Sequence, residues 1–368
     1  MSEDEALARH GRDLLGSDAG VVIRPRLIGV YRTGHAGQLE TGSAVIDRAG
    51  RVPRLIVRTG DGLVVHELRA GGGRLAEPAA VFPGEVRGRP TVGTGPVAPD
   101  LSHAALVDEH SYRIVKPDGT LLWERSAGSS EGVPVRYARW VQPPGAEPRL
   151  WLAVPAEAGL RLQSLSVAGE VVDRLAVPIG GRHLSVGLAL DAGGRPVAVG
   201  VRSGAAAVTF GVGRDGVLSP AVERELLDAD PAGSGFVTVG RSDAGETTDV
   251  RWHGPDGAAP VTVVACTDLL TSDMHIRPYL SGSTGGLLRE GVLLLAVEDD
   301  YDESDVEIFG AERWRPSSHW LAAFGRSHDM IAYADRAHAA DPGPAVPLGD
   351  GTWLTHDRDA LYHWSTGP

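Results

Sequence analysis

The sequence predicts an all-β fold: a single-domain β-propeller of about seven four-stranded blades over residues 17–368, preceded by a short N-terminal helix over 1–16. Three observations predict it. After the first sixteen residues the helical period disappears, and short runs rich in Val, Leu and Ile alternate with turn signals. Gly (49) and Pro (25) make up about a fifth of the 368 residues, above the usual share but below that of a disordered chain. Sets of strands recur at roughly 40–60 residues, which brackets the ~40–50-residue period of a propeller blade.

The elements follow in chain order. Ser2 caps a helix that has Glu5 three positions on and Gly16 at its end. Arg54–Arg58 turns at Gly60-Asp61-Gly62 into Leu63–Leu68. Ala104–Val107 and His110–Val115 lead through Pro117-Asp118-Gly119 into Thr120–Glu124. Similar sets begin at Leu150, Val186, Phe236, Val292 and Thr352. Asp-Gly pairs recur at Asp61, Asp118, Asp215 and Asp256, and they suit the positive φ of tight hairpin turns. A pair of β-sandwiches is the alternative, but no Pro/Gly/Ser linker divides the chain into halves. Two stretches break the pattern. Pro220–Pro231 reads as a short surface helix between blades. Residues 317–341, Ala-rich from Met330 to Ala340, leave room for a helix inserted before the last blade.

The segment Pro117-Asp118-Gly119-Thr120-Leu121-Leu122-Trp123-Glu124 resembles the repeat of quinoprotein-type and WD-repeat propellers. There an Asp-Gly turn leads into a strand closed by Trp and an acidic or polar residue. Val250–His253 and Leu361–Trp364 are weaker echoes. The chain has no Trp-Asp dipeptide and no recognisable quinone-ligand set, so the resemblance implies architecture and no chemistry.

Charge narrows the function classes. Lys+Arg 35 against Asp+Glu 48 gives −13, and the chain has a single lysine, Lys116. Basic runs are no longer than pieces such as Arg313-Trp314-Arg315, whereas a phosphate-binding surface requires basic clusters. Neither nucleic acid nor an anionic membrane is the expected partner. The longest apolar run, Gly291–Val297, is far shorter than a membrane helix requires. Arginine in place of lysine, with abundant Ala, Gly and Val, fits a GC-rich coding bias of actinobacterial type. The acidic start Met1–Glu5 is unlike a signal peptide, and Cys266 is the only cysteine, so a cytoplasmic protein without disulfides is expected.

No phosphate-binding loop, His-Glu-x-x-His or Cys-x-x-Cys is present, and no metal or cofactor is expected. Gly128–Gly132 formally fits Gly-x-Ser-x-Gly, but it runs into Val133-Pro134 and strand-like sequence instead of a helix. The acidic run Glu298–Asp305 would suit Ca²⁺ or simply a solvated turn; it lacks the glycine of an EF-hand. The long connection Cys266–Gly286 is the richest in chemistry. Its His275 and Asp273 are candidates for acid–base work and Arg277 for an anion clamp, with Asp268 and Tyr279 beside them. His103, Arg182 and His183 stand where innermost strands begin. Trp314 and Trp320 flank an irregular segment and are candidates for lining a pocket. Two functions follow: a module that binds a protein or peptide partner, or a metal-independent enzyme (lyase, isomerase, cyclase or hydrolase) acting on a small molecule at the channel mouth.

Overall fold

The fold was read from a computed structural model. It describes residues 22–39, 43–48, 52–69, 71–75, 77–84, 95–107, 111–126, 137–156, 159–179, 184–204, 206–213, 215–242, 247–254, 259–269, 278–299, 317–323, 328–333 and 344–367. Among these residues 28 strands form seven sheets of three to five strands, with two short 3-10 turns, Ala36–Gln38 and Cys266–Leu269. The chain is an all-β, seven-bladed propeller, as its turn content and strand period predict. No described helix is long and apolar enough to cross a membrane. The proposed helix over 1–16 lies outside the described residues.

The chain comprises two compact units, residues 30–234 with 357–361, and residues 1–29, 235–356 and 362–368. In the first unit the strands Ala44–Asp47, Arg54–Thr59, Gly62–Glu67 and Ala80–Pro83 form one antiparallel meander. Ala104–Val107, Ser111–Val115 and Leu121–Ser126 form the next. Ala138–Val141, Arg149–Ala156, Gly159–Leu165 and Val171–Val177 follow, then Leu184–Leu190, Pro196–Ser203 and Ala206–Gly211.

Four of the hairpins share one device. Lys116 pairs its N–H with the Thr120 carbonyl, Ser166 with Glu170, Asp191 with Arg195 and Gly213 with Val217. In each, the fourth residue is a glycine at positive φ: Gly119 at 82°, Gly169 at 84°, Gly194 at 74° and Gly216 at 77°. This is a type I turn followed by a left-handed residue, which matches the right-handed twist of the strands. Asp-Gly is therefore one version of a broader signal, a glycine four residues into a five-residue turn.

The sheets bury both faces. Phe82, Ile56 and Val65 of one meander pack with Leu106 and Val115 of the next. Ile114, Tyr112 and Ala105 pack with Trp140, Leu150 and Leu165. Trp151, Leu162 and Val177 pack with Leu188, Val199 and Phe210.

Pro220–Pro231 corrects the expected surface helix. Val222 forms a two-way backbone bridge with Thr209, and Glu225–Ala229 is a strand. The helix-forming residues Glu225, Leu226 and Leu227 are overruled by packing, because Leu226 seats over Gly187 and Gly200. A Cβ added at Gly200 would lie 2.7 Å from that of Leu226.

The second unit holds the meander Phe236–Arg241, Thr248–His253 and Val261–Ala265. Its largest sheet is built from Pro278–Arg289, Val292–Asp299, Ser317–Ala323 and His328–Ile331, joined in parallel by Val22–Ile23. Two expectations are corrected here. Pro278–Gly286, the end of the expected connection, is strand and not loop, irregular between Leu280 and Gly285; a Cβ at Gly285 would meet the Leu294 carbonyl at 2.5 Å. Ser317–Ala323 and His328–Ile331 are strands and not an inserted helix, because Leu321 and Ile331 join Leu294 in the core; residues 334–343 lie outside the described set.

The core of this unit also carries a polar knot. Tyr333 Oη accepts the Trp353 indole N–H at 2.9 Å and lies 2.7 Å from His319 Nδ1. Burial pushes the Tyr333 phenol well above its ordinary pKa of 10, so it stays protonated and donates to His319. Tyr333→Phe should cost about 1–3 kcal/mol, because a buried indole donor and a buried imidazole acceptor both lose this partner. Urea denaturation checks this, and a loss below about 0.5 kcal/mol would show that the knot is not a stabilising network.

Candidate functional site

Of the residues expected to carry function, Asp273, His275, Arg277, Arg182, His183 and Trp314 lie outside the described residues, as do Gly128–Gly132 and Asp300–Asp305. The others are placed. Asp268 is exposed, and its carboxylate accepts the Ala265 N–H at 2.9 Å, closing the 3-10 turn. Tyr279 stands opposite Glu298 in register and donates its hydroxyl to that carboxylate at 2.9 Å. Trp320 is buried, its indole N–H held by Ser318 Oγ at 3.0 Å, so it packs inside the sheet. Among the described residues no group of three or more His, Cys, Asp or Glu side chains could hold a metal ion.

His103 sits in a different setting. It closes a short loop that begins at Ala98, whose N–H donates to the His103 carbonyl at 2.8 Å, just outside the Val97–Ala104 bridge. Pro99 fixes the second turn position, and the Leu101 N–H returns to the Ala98 carbonyl at 2.9 Å. Leu101 then takes φ 61°, the one non-glycine residue at positive φ among those described. Such a conformation costs on the order of 1 kcal/mol and persists only where neighbours impose it.

Two neighbours impose it. Asp100 Oδ1 accepts both the Ser102 N–H at 3.0 Å and the Ser102 hydroxyl at 2.5 Å. From beneath, Arg54 is 3% exposed and donates to the Ala98 carbonyl at 3.0 Å and to the Pro99 carbonyl. Arg54 is directly opposite Asp47 in strand register, and their charged groups are 4.0 Å apart. A buried arginine thus holds two consecutive carbonyls of the loop.

Hydrogen-bond arithmetic then fixes His103. Ser102 has one hydroxyl proton, and it goes to the Asp100 carboxylate, which only accepts. Ser102 Oγ lies 2.6 Å from His103 Nδ1, so Nδ1 is the donor of that contact and Nε2 keeps its lone pair. Burial lowers the His103 pKa below its ordinary 6.5; Asp100 opposes this and Lys116 adds to it. The ring lies nearly flat on Trp140, centroids 5.9 Å apart. His103 is a neutral acceptor with its tautomer fixed.

Two cavities flank the loop and share Asp100. One, of about 560 Å³, is lined by His103, Asp100, Glu147, Trp123, Leu122 and Val167. The other, of about 730 Å³, is lined by Asp100, Leu101, Arg54, Glu67, Gln142 and Pro144. The hairpin turn 142–148 borders both. The indole wall is rigid. Trp123 Nε1 donates to the Val167 carbonyl at 2.9 Å, the Arg125 guanidinium lies 5.6 Å from the ring centroid, and Gly169 comes close enough that a Cβ there would be 3.1 Å from the indole.

The arrangement does not perform Ser-His-Asp chemistry. In a nucleophilic triad the carboxylate orients the imidazole, which takes the serine proton. Here the carboxylate takes the serine hydroxyl and the imidazole donates to the same oxygen, so Ser102 is a relay that fixes His103.

No protein-family model matches the sequence, and no curated protein matches it. Among solved structures, the chain is similar to BBS1N in a crystal structure of its complex with ARL6DN (TM-score 0.51, 12% identity, 95% of this chain and 98% of that one). It is also similar to the WD40 domain of Toxoplasma gondii coronin (TM-score 0.46, 12% identity, 95% and 89%) and to that of fission yeast SCAP (0.45, 10%, 88% and 84%). At 12% identity the BBS1N likeness is one of fold.

Four buried or half-buried histidines set a pH dependence. Burial lowers His66, His103, His328 and His363 below 6.5, so the unfolded chain binds more protons than the folded one beneath that value. Stability is then complete above pH 6.5 and is lost as pH falls through the folded-state values. Urea midpoints should drop from pH 7.5 to pH 5.5, and an NMR titration should place His103 below 6.5. A His103 midpoint above 6.5 would overturn its assignment as a neutral acceptor.

Proposed function

We propose that the chain is a propeller binding module that receives a protein or peptide partner along the groove over the Ala98–His103 loop. The observation that supports this is the pair of cavities meeting at one rigid loop. Each falls within the ~300–1,000 Å³ typical of ligand pockets, and two in succession suit successive side chains of one polypeptide. The loop is held by Arg54 and by the Asp100 turn before any partner arrives, so little ordering entropy is lost on binding. A propeller is compatible with such a role, and BBS1N, similar in fold, is crystallised with ARL6DN. A cytoplasmic setting is part of this reading, on the single cysteine. The small-molecule enzyme built on Asp273, His275 and Arg277 draws no support from the described residues.

Selection of displayed random dodecapeptides against the purified chain tests the reading. Peptides recovered on the native protein should lose about tenfold or more in affinity to Trp123→Leu and to Asp100→Ala, with circular dichroism unchanged. Recovered peptides that bind both variants as tightly as the native chain would place recognition elsewhere.

A further inference from the structure

The two pockets of the groove differ in chemistry. The 730 Å³ cavity offers a mixed set, with the amide of Gln142 and the arginine beneath the loop among the groups that line it. No cation is among the residues lining the 560 Å³ cavity, although Arg125 lies over its Trp123 and the charge of Lys116 acts on its His103. The polar groups of this cavity are the carboxylates of Asp100 and Glu147, the Ser102 hydroxyl and the His103 imidazole. The Ser102 proton is committed to Asp100 and the His103 Nδ1 proton to Ser102. What these four side chains leave over is acceptor capacity only: carboxylate oxygens and the Nε2 lone pair. The rest of the wall, Leu122, Trp123, Pro148, Val167 and Ala168, is apolar.

A pocket with acceptors at one end and an apolar aromatic wall at the other selects an occupant that is donor-rich, cationic and carries an aliphatic stem. The two carboxylates, both exposed, attract a cation more than a neutral donor, and an anion would be repelled. Between the two cationic side chains, the guanidinium fits better. It is planar, weakly hydrated and has five N–H donors for several separated acceptors, whereas an ammonium is a compact, strongly hydrated charge. The indole already accepts such a group: the chain's own Arg125 guanidinium lies over the Trp123 ring. The net charge of −13 adds a long-range attraction for a basic segment.

We infer that the 560 Å³ cavity beside His103 is the seat for an arginine side chain of the partner polypeptide, its guanidinium bound by Asp100, Glu147 and His103 and its stem laid along Leu122 and Trp123. This rests on the binding-module reading and gives it a ligand chemistry.

The test is an NMR titration of the purified chain with Ac-Gly-Gly-Arg-Gly-Gly-NH₂, following the His103 ring and the Trp123 indole N–H. Counterparts carry lysine, citrulline or norleucine in place of arginine. The arginine peptide should shift both signals and weaken as salt rises, because the pair is charged. Citrulline, the same shape without the charge, should bind about tenfold or more weakly, and lysine several-fold more weakly. Asp100→Asn and Glu147→Gln, which keep shape and remove charge, should each weaken the arginine peptide about threefold or more. Citrulline within threefold of arginine, lysine tighter than arginine, or affinity unmoved in both variants would overturn the inference. Failure here is distinguishable from failure of the module reading. If norleucine or neutral display peptides bind through the groove while arginine confers nothing, the module stands and the guanidinium seat falls. If no peptide binds up to about 10 mM, both fall.

Discussion

The constraint on which the structure depends is that its sheets are apolar on both faces. Arg54–Val57 is buried at four consecutive positions, and so is Ala104–Val107. A sheet that faces water on one side alternates apolar and polar residues; these strands do not. Such a sheet is stable only between two neighbours, and each core cluster of the first unit accordingly joins successive sheets. Large aromatic residues fill the space, with Trp140, Trp353 and Trp364 fully or almost fully enclosed. Some polar side chains caught inside are tied to each other, as Trp364 Nε1 is to Thr355 Oγ1 at 2.9 Å. With both faces committed, the chain's freedom to make a site is confined to the turns at the strand ends.

The Ala98–His103 loop uses that freedom at an energetic cost. It contains a leucine in a left-handed conformation and rests on a guanidinium removed from water. Arg54 offsets the first term. Hydrogen bonds from a charged donor contribute about 1.5–3 kcal/mol each, against the order of 1 kcal/mol for the strained residue. Its charge faces Asp47, 4.0 Å away, which strand register places opposite it. The same arginine that makes the strain tolerable therefore fixes where Asp100 projects, and through Ser102 which nitrogen of His103 carries the proton. A change at residue 54 reaches the pocket although most of its side chain lies beneath the loop.

How far the sequence is legible divides along the same line. Hairpins are local, so glycine spacing reveals them, from Lys116–Thr120 to Asp191–Arg195. Elements fixed by packing are not: Glu225–Ala229 has helix-forming residues, yet Leu226 fills the space left by two glycines some 26 and 39 positions earlier. Pro278–Gly286 reads as a loop because its small residues carry no strand pattern, although Pro278–Leu280 and Gly285-Gly286 pair in register with Val292–Asp299. The site shows the same split. His103 is identifiable as a residue at the start of an inner strand. Asp100 shares its loop, but Glu147 and Trp123 are brought to it from a separate turn and a separate strand, and no local motif joins them to it. The one local signal is Pro-Asp-Leu-Ser at 99–102, an Asx turn in which the aspartate bonds the N–H two residues on.

In the proposed binding, the fixed tautomer of His103 decides what kind of recognition the pocket performs. A histidine free to reorient would offer a donor or an acceptor as a ligand required, and the pocket would discriminate little. Here the Asp100–Ser102–His103 chain runs in one direction, because the carboxylate at its end can only accept. Each proton in the chain is already placed, so a ligand that brings acceptors finds none left to share, and it also meets carboxylate repulsion. A ligand that brings donors requires no rearrangement. Reversing the chain would require both a proton on Asp100, so that it donated to Ser102, and transfer of the His103 proton from Nδ1 to Nε2. Selectivity therefore comes as much from the refusal of acceptors as from the welcome of donors. It is enforced by three consecutive hydrogen-bonding groups within four residues of one loop.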